Sequence, residues 1–254
     1  LPPRLFPMSR PLPWLEPYQD FPSVESAWGV HDPMPGLLAA GGALHAASLR
    51  RAYLHGIFPW FNPGQPVLWW SPDPRMVLLP QRFRLHRSLR QTLKRFCQSR
   101  QCEIRIDSAF ATVMQHCART PRPGQRGTWI VPSIIAAYSQ LHHQGLAHSV
   151  ETWVQGRLVG GLYCVALGRA VFGESMFAHA RDASKIALAA LVALCRVHGV
   201  AQIDCQQATA HLASLGAHEV ARAAFVRTVA EQSQRPPLPW RFDPAYWHAL
   251  LPPP

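Results

Sequence analysis

Acidic residues are scarce in this chain. Only 14 Asp and Glu stand against 25 Lys and Arg, a formal net charge of +11. That balance points to a polyanionic partner, most simply nucleic acid, or to a basic protein kept soluble by its charge. Long apolar runs are missing too. None approaches the ~18 residues of a membrane-spanning helix, so no membrane partner is expected. The Pro-rich start carries Arg4 and Arg10 but not the apolar core of a signal peptide. It opens at Leu1 instead of Met, as a trimmed chain would. Among Cys97, Cys102, Cys117, Cys164, Cys195 and Cys205 there is no CxxC pair, which excludes zinc-ribbon spacing. Several of these fall in apolar stretches, as buried free thiols do, and read as a reducing, cytoplasmic compartment. There is no internal repeat.

What is present is enough for a core. Hydrophobic residues make up 48% of 254 positions, which suits one large domain or a small one followed by a medium one. Residues 1–80 are rich in Pro, Gly and Trp and read as a small irregular N-terminal domain with an exposed aromatic face. Its one regular segment is a short helix from Ala46 to His55. From residue 81 to 254 the periodicity is regular. Leu85, Leu89 and Phe96 mark one helix, with Arg84, Arg87, Arg90, Gln91 and Lys94 on its other side. Asp107 is placed to cap a second helix carrying Phe110, Val113, Met114 and Cys117. Pro132 suits the first turn of a third, with Ile135, Tyr138 and Leu141 inward and Gly145 at its end.

A strand meander follows, from His148 to Val154, Arg157 to Leu167 and Arg169 to Ser175, with turns at Gln155-Gly156 and Gly168. Asp182 caps a helix through Val197, Ala201 to Gln206 is a strand, and Gln207 to Leu215 is a short helix stopped by Gly216. Helices, an antiparallel meander, then helix and strand fit an α/β (α+β) fold of the GNAT-like acyltransferase type. The Pro-rich tail from Pro236 reads as an extended wrap over the surface.

The chemistry concentrates between Gly173 and Ala217. On the strand Ala201 to Gln206, alternation puts Asp204 and Gln206 on one face, roughly 6.6 Å apart. A carboxylate beside an amide can orient an attacking amine and accept its proton. An Asp and Gln that only hydrogen-bond the next loop fit the same residues. Glu174, beside Phe172, Met176 and Phe177, could bind a cationic group or a ribose hydroxyl, or be a plain strand-end acid. Met176, Leu188, Leu191 and Ile203 could line an apolar pocket or simply be core. Arg84, Arg87, Arg90 and Lys94 form a face that could track phosphates, or a solvated helix surface. Trp60, Trp69, Trp70 and Trp129 are candidates for base stacking, although each singly suits a core.

Acyl-CoA enzymes of this fold carry R/Q-x-x-G-x-G/A at a helix N-terminus. The one match, Arg196 to Ala201, closes a helix instead, so CoA is not the expected donor. His142-His143 offers no metal set and reads as surface imidazoles.

Taken together, the motifs resemble those of the bacterial leucyl/phenylalanyl-tRNA–protein transferases. The segments are Gly41-Gly42, Arg51-Ala52-Tyr53, Gly56 to Phe61, Leu68 to Arg75, Gly127 to Ile130, Ala137-Tyr138, Leu141-His142, Ala147 to Glu151, Leu158 to Tyr163, Gly173 to Phe177, Ala183 to Lys185, Ile203 to Gln206 and His211 to Ala217. The resemblance implies transfer of Leu or Phe, and less readily Met, from leucyl-tRNA or phenylalanyl-tRNA to the N-terminal amine of proteins beginning with Arg or Lys. The product is a destabilising N-terminus, and no metal, CoA or other cofactor is used. It also implies that Asp204 and Gln206 act on the amine with Glu174 in the same pocket. Trp60 and Trp129 would contact the 3′-terminal adenosine. Met176, Leu188 and Ile203 would hold the aminoacyl side chain, and Leu191 replaces an aromatic of some relatives.

The physical demands are modest. The donor ester is already activated, so positioning and an unprotonated amine are the main needs. An α-amine has a pKa of about 7.7–8.0. A donor such as the Gln206 amide could stabilise the oxyanion. An apolar pocket would discriminate by only ~1–3 kcal/mol per methylene, which suits Leu, Phe and Met together. A non-catalytic RNA-binding protein and an acyl-CoA-dependent N-acyltransferase remain as alternatives at this point.

Overall fold

The computed structural model describes residues 11–120 and 128–251. Arg4, Arg10, Gly127 and the last three prolines of the tail lie outside the described residues.

The N-terminal unit contains β1 (Trp14–Leu15), β2 (Leu37–Gly41), α1 (Ala46–Leu54), β3 (Phe58–Pro59) and β4 (Leu68–Trp70). Its four strands form one sheet in the order β1-β2-β4-β3. Most of its aromatic face is interior, not exposed as expected: Phe58, Trp69 and Trp70 are buried, and the Trp69 indole donates to the Gly41 carbonyl at 2.9 Å. An aromatic-rich unit this small can form a core only by turning those rings inward and satisfying their N–H groups.

The remaining elements are β5 (Arg75–Leu78), α2 (Arg87–Gln98), β6 (Cys102–Ile106), α3 (Phe110–Arg119), α4 (Pro132–His143), β7 (Ala147–Val154), β8 (Arg157–Leu167), β9 (Ala170–Ala178), α5 (Ala183–Val197), β10 (Ile203–Gln206), α6 (Ala210–Ser214), β11 (His218–Val220) and α7 (Arg222–Ser233). Seven strands make the larger sheet, ordered β11-β5-β10-β9-β8-β7-β6. Only β9 and β10 run parallel; every other neighbouring pair is antiparallel. The α5 helix between them is the crossover that a parallel pair requires.

The sheet separates two cores. On one side lie α1, α3, α4 and α7 with the N-terminal unit; on the other lie α2, α5 and the C-terminal strap. The α5 helix is rich in Ala and Leu and buried on almost every side, so propensity and burial agree. A Cβ on Gly160 would stand 2.5 Å from the Ala183 side chain, so β8 meets the start of α5 only because position 160 is glycine. The Pro-rich tail crosses this face as an extended strap. Trp240 stacks on His148 at 3.9 Å, and the 3₁₀ turn Pro244–Ala249 buries Trp247.

Several local expectations are corrected. Asp107 does not cap α3. It accepts from the Ser149 N–H at 2.8 Å and faces His148 Nδ1 at 2.7 Å. The α3 start is served from a neighbouring strand, by Glu151, which accepts from the Ala109 N–H at 2.8 Å and from Ser108. Asp182 stands at the head of α5 as expected, but in the left-handed region with φ 61, and its carboxylate takes Lys185 at 3.0 Å instead of a backbone N–H. In α4 it is Ile134 that is fully buried, with Ile135 only partly so. His142 is not a surface imidazole: it stacks on Phe110 with ring centres 4.2 Å apart. The third meander strand runs three residues past Ser175, and β10 starts two residues after Ala201.

Candidate active site

The parallel pair β9–β10 holds register only at Ile203↔Val171 and Asp204↔Phe172. Beyond Phe172, β9 continues along β8 while β10 leaves it. Each strand carries a one-residue bulge at this fork. Glu174 is the extra residue between Cys164↔Gly173 and Tyr163↔Ser175. Cys205 is the extra residue between Asp204↔Val77 and Gln206↔Met76, and Gln206 then takes φ 62. Such bulges bend a strand and re-aim its side chains. At the root of the fork a Cβ on Gly173 would lie 3.3 Å from the Asp204 carbonyl.

A cavity of about 100 Å³ fills the fork. Met176, Leu188, Leu191 and Ile203, expected to line one pocket, are brought together here, joined by Leu162 and Leu212. Glu174 and Asp204 border the same space. The volume is somewhat below the ~150 Å³ apolar cavity that accepts benzene, and Met176 is a wall that can adjust.

The polar side of the fork is one connected network. Glu174 Oε1 accepts from the Tyr53 hydroxyl at 2.6 Å and from Gln206 Nε2 at 3.0 Å. Glu174 Oε2 accepts from the Tyr138 hydroxyl at 3.3 Å, and the two tyrosine oxygens are 2.5 Å apart. Burial is the main cause that pushes the Glu174 carboxyl up to about 8. The neighbouring Asp204 charge adds to this, and the hydrogen bonds from Tyr53, Gln206 and Tyr138 oppose it. Burial and Glu174 together push both tyrosine hydroxyls well above their ordinary range.

Asp204 does share a face with Gln206, but its carboxylate is occupied. Arg75 from β5 donates Nε to Oδ1 at 2.8 Å and Nη2 to Oδ2 at 2.6 Å, and Oδ1 also accepts the Gln206 N–H at 2.9 Å. The Arg75 guanidinium, fully buried, lies between the Phe58 and Phe225 rings and donates Nη1 to the Gly56 carbonyl at 3.1 Å. Asp204 thus fixes the backbone from which Gln206 projects. Gln206 gives its amide N–H to Glu174, which turns its side-chain oxygen away from that carboxyl.

Other expected residues lie further out. Trp60 is half-buried against Trp70, and Trp129 is buried in the core on the α1–α4 side. Arg84, Arg87, Arg90 and Lys94 are all exposed, and none is in an ion pair among the described residues. Among the described residues no group of three or more His, Cys, Asp or Glu is placed to hold a metal ion, and no helix is long and apolar enough to cross a membrane.

Sequence reasoning missed Arg75, Tyr53 and Tyr138 as members of the site. Arg75 had one signal, a lone charge heading the apolar strand Arg75-Met76-Val77-Leu78. The tyrosines sit at ordinary core spacing in their helices, and their one signal was that Arg51-Ala52-Tyr53 and Ala137-Tyr138 are among the segments of the family resemblance.

A family model described as leucyl/phenylalanyl-tRNA protein transferase matches residues 77–230, and one described as the N-terminal domain of that transferase matches residues 42–73. The leucyl/phenylalanyl-tRNA–protein transferase of Polaromonas sp. (strain JS666 / ATCC BAA-500) is 63% identical over 244 residues, covering 96% of each chain. The proteins of that name from Albidiferax ferrireducens and Burkholderia pseudomallei (strain 668) are each 60% identical, over 96% and 94% of both chains respectively. With these relatives the chain is an aminoacyltransferase. The chain belongs to the leucyl/phenylalanyl-tRNA–protein transferase family.

Proposed function

We propose that this chain moves Leu or Phe, and less readily Met, from aminoacyl-tRNA to the N-terminal amine of proteins beginning with Arg or Lys. The product is an N-terminus that marks the protein for N-end rule degradation in the cytoplasm. The observation that carries the reading is the β9–β10 fork, with its apolar cavity and the Glu174–Gln206–Asp204–Arg75 network at its mouth. A single splayed parallel pair beside an antiparallel meander also supports a GNAT-like acyltransferase sheet.

The aminoacyl side chain enters the cavity against Met176, Leu188, Leu191 and Ile203. The 3′-terminal adenosine lies toward Trp60 and Trp129, and Arg84, Arg87, Arg90 and Lys94 follow the tRNA phosphates. The incoming amine donates a hydrogen bond to the Gln206 side-chain oxygen. Glu174, at about 8, is matched to an amine of about 7.7–8.0, so transfer of the amine proton to it is close to balanced. The amine nitrogen bonds to the ester carbonyl carbon, the bond to the ribose oxygen breaks, and that oxygen leaves with the second proton that the nitrogen gives up as it becomes an amide. Asp204 and Arg75 hold the loop on which Gln206 stands.

The test is to mix the protein with charged leucyl-tRNA and an Arg-initiated peptide. Leucyl-peptide is expected. Its absence, with RNA binding intact, would favour a non-catalytic RNA-binding role, and product formed with acetyl-CoA instead would favour an acyl-CoA enzyme.

A further inference from the structure

If the acceptor begins with Arg or Lys, as the reading above holds, some acid must meet that side chain. The chain has only 14 candidates, and all fall within the described residues. Most are committed to ion pairs, as Asp182 is to Lys185 and Asp204 to Arg75, or to backbone N–H groups, as Asp73 and Asp243 are. Glu16 and Glu25 belong to the N-terminal unit and Glu231 to α7. Glu174 is engaged by Tyr53, Tyr138 and Gln206. Glu219 remains. It is exposed and has no ion-pair or hydrogen-bond partner for its side chain among the described residues.

Its position ties it to the fork. In β11, Glu219 pairs with Met76 of β5, and on the other side of β5 the same Met76 is the register partner of Gln206. Two cross-strand steps put the Glu219 and Gln206 Cα atoms about 10 Å apart. Directly opposed residues share a face, so Glu219 stands on the Met76 side of the sheet, the side of α5 and the aminoacyl cavity, whereas beyond the Cys205 bulge the Gln206 side chain turns to Glu174 and the two tyrosines. There a shallow groove of about 340 Å³ runs between β11 and α6, floored by Met76 and walled by the small side chains of Ala208, Ala210 and Ala213. Leu212, on the same short helix, lines the aminoacyl cavity, so α6 stands between cavity and groove. Arg82 and Arg84 border the adjoining depression, where they would repel a cation. The tryptophans assigned to the adenosine belong to the opposite core.

We infer that this groove receives the first residue of the acceptor polypeptide and that Glu219 reads its cationic side chain. The occupant follows from charge complementarity on a surface otherwise rich in Lys and Arg, and from adjacency, across α6, to the cavity where the aminoacyl ester would lie.

The experiment measures kcat/KM for leucyl transfer to three peptides that differ only in a first residue of Arg, Gln or Glu. It uses the wild-type chain and the variants Glu219→Asp, Glu219→Gln and Glu219→Lys. The wild-type preference for Arg over Gln is expected to fall about fivefold in Glu219→Gln, the upper range of a solvent-accessible ion pair expressed as a ratio. Glu219→Asp should keep most of the preference, and Glu219→Lys should raise transfer to the Glu-initiated peptide relative to Arg. An Arg:Gln ratio unchanged in both Glu219→Gln and Glu219→Lys would overturn the assignment while leaving the aminoacyl-transfer reading intact. A wild-type chain that transfers leucine to none of the peptides would instead remove that reading, and this inference with it.

Discussion

Burial raises the Glu174 carboxyl to about 8, so over several pH units the folded protein holds a proton that the unfolded chain has released. The unfolded group ionises near 4.3. Stability contributed at this site is therefore intact below about pH 4.3, falls as pH rises toward 8, and levels off above it. Glu174→Gln keeps the acceptor for Tyr53 but removes the titration. Urea unfolding of both proteins should show the variant about equal to wild type near pH 4 and more stable by roughly 1–3 kcal/mol near pH 8. The same variant should lose about 10²-fold or more in transfer rate if Glu174 takes the amine proton. A stability difference that does not grow with pH would mean that the carboxyl is ionised in the fold.

At the scale of elements, the tie between β5 and β10 is a buried ion pair, Arg75 with Asp204. Removing one partner leaves a charge without compensation, so Arg75→Met or Asp204→Leu alone should cost about 3–5 kcal/mol. The double variant should cost clearly less than the two single losses added, which a double-mutant cycle in urea would measure. Simple additivity would show that the two groups do not act as a unit. Asp204→Asn, the milder change, should lower transfer far more than tRNA affinity, since it loosens the loop that carries Gln206.

Much of this arrangement was legible in the sequence. The meander, the α5 crossover and the helix ends at Gly145, Gly199 and Gly216 follow from periodicity and glycine placement, and all three glycines adopt positive φ. Helical spacing brings Leu188 and Leu191 to the cavity and alternation brings Ile203, but Met176 joins them only because the bulge at Glu174 inverts the alternation of its strand, so that Val171 and Met176 share a side. What was hidden depends on long-range pairing. The bulges at Glu174 and Cys205 are properties of register between strands, not of either strand alone. The Arg75–Asp204 pair joins residues far apart in sequence, and Tyr53 reaches Glu174 from the N-terminal unit. Glu151 serving the head of α3 from a strand is the same kind of event, and local capping rules therefore assigned the role to Asp107.

For the whole molecule, the net charge of +11 is met by a row of exposed cations, Arg87, Arg90 and Lys94, along the solvent side of α2, with Arg84 just before it. If that row follows tRNA phosphates, neutralising Arg87, Arg90 and Lys94 together should reduce the slope of log affinity against log salt by about 2–3, near one per lost contact. An unchanged slope, with affinity lost or kept, would move the RNA to another face. In the proposed reading the tRNA end and the acceptor chain meet where β9 and β10 part. A structure of the chain bound to a non-hydrolysable leucyl-adenosine analogue tests that meeting point most directly. The leucyl side chain should lie in the fork against Met176, Leu188 and Ile203, with its carbonyl carbon open toward Gln206. A leucyl group bound outside the fork, with the cavity walls untouched, would contradict it.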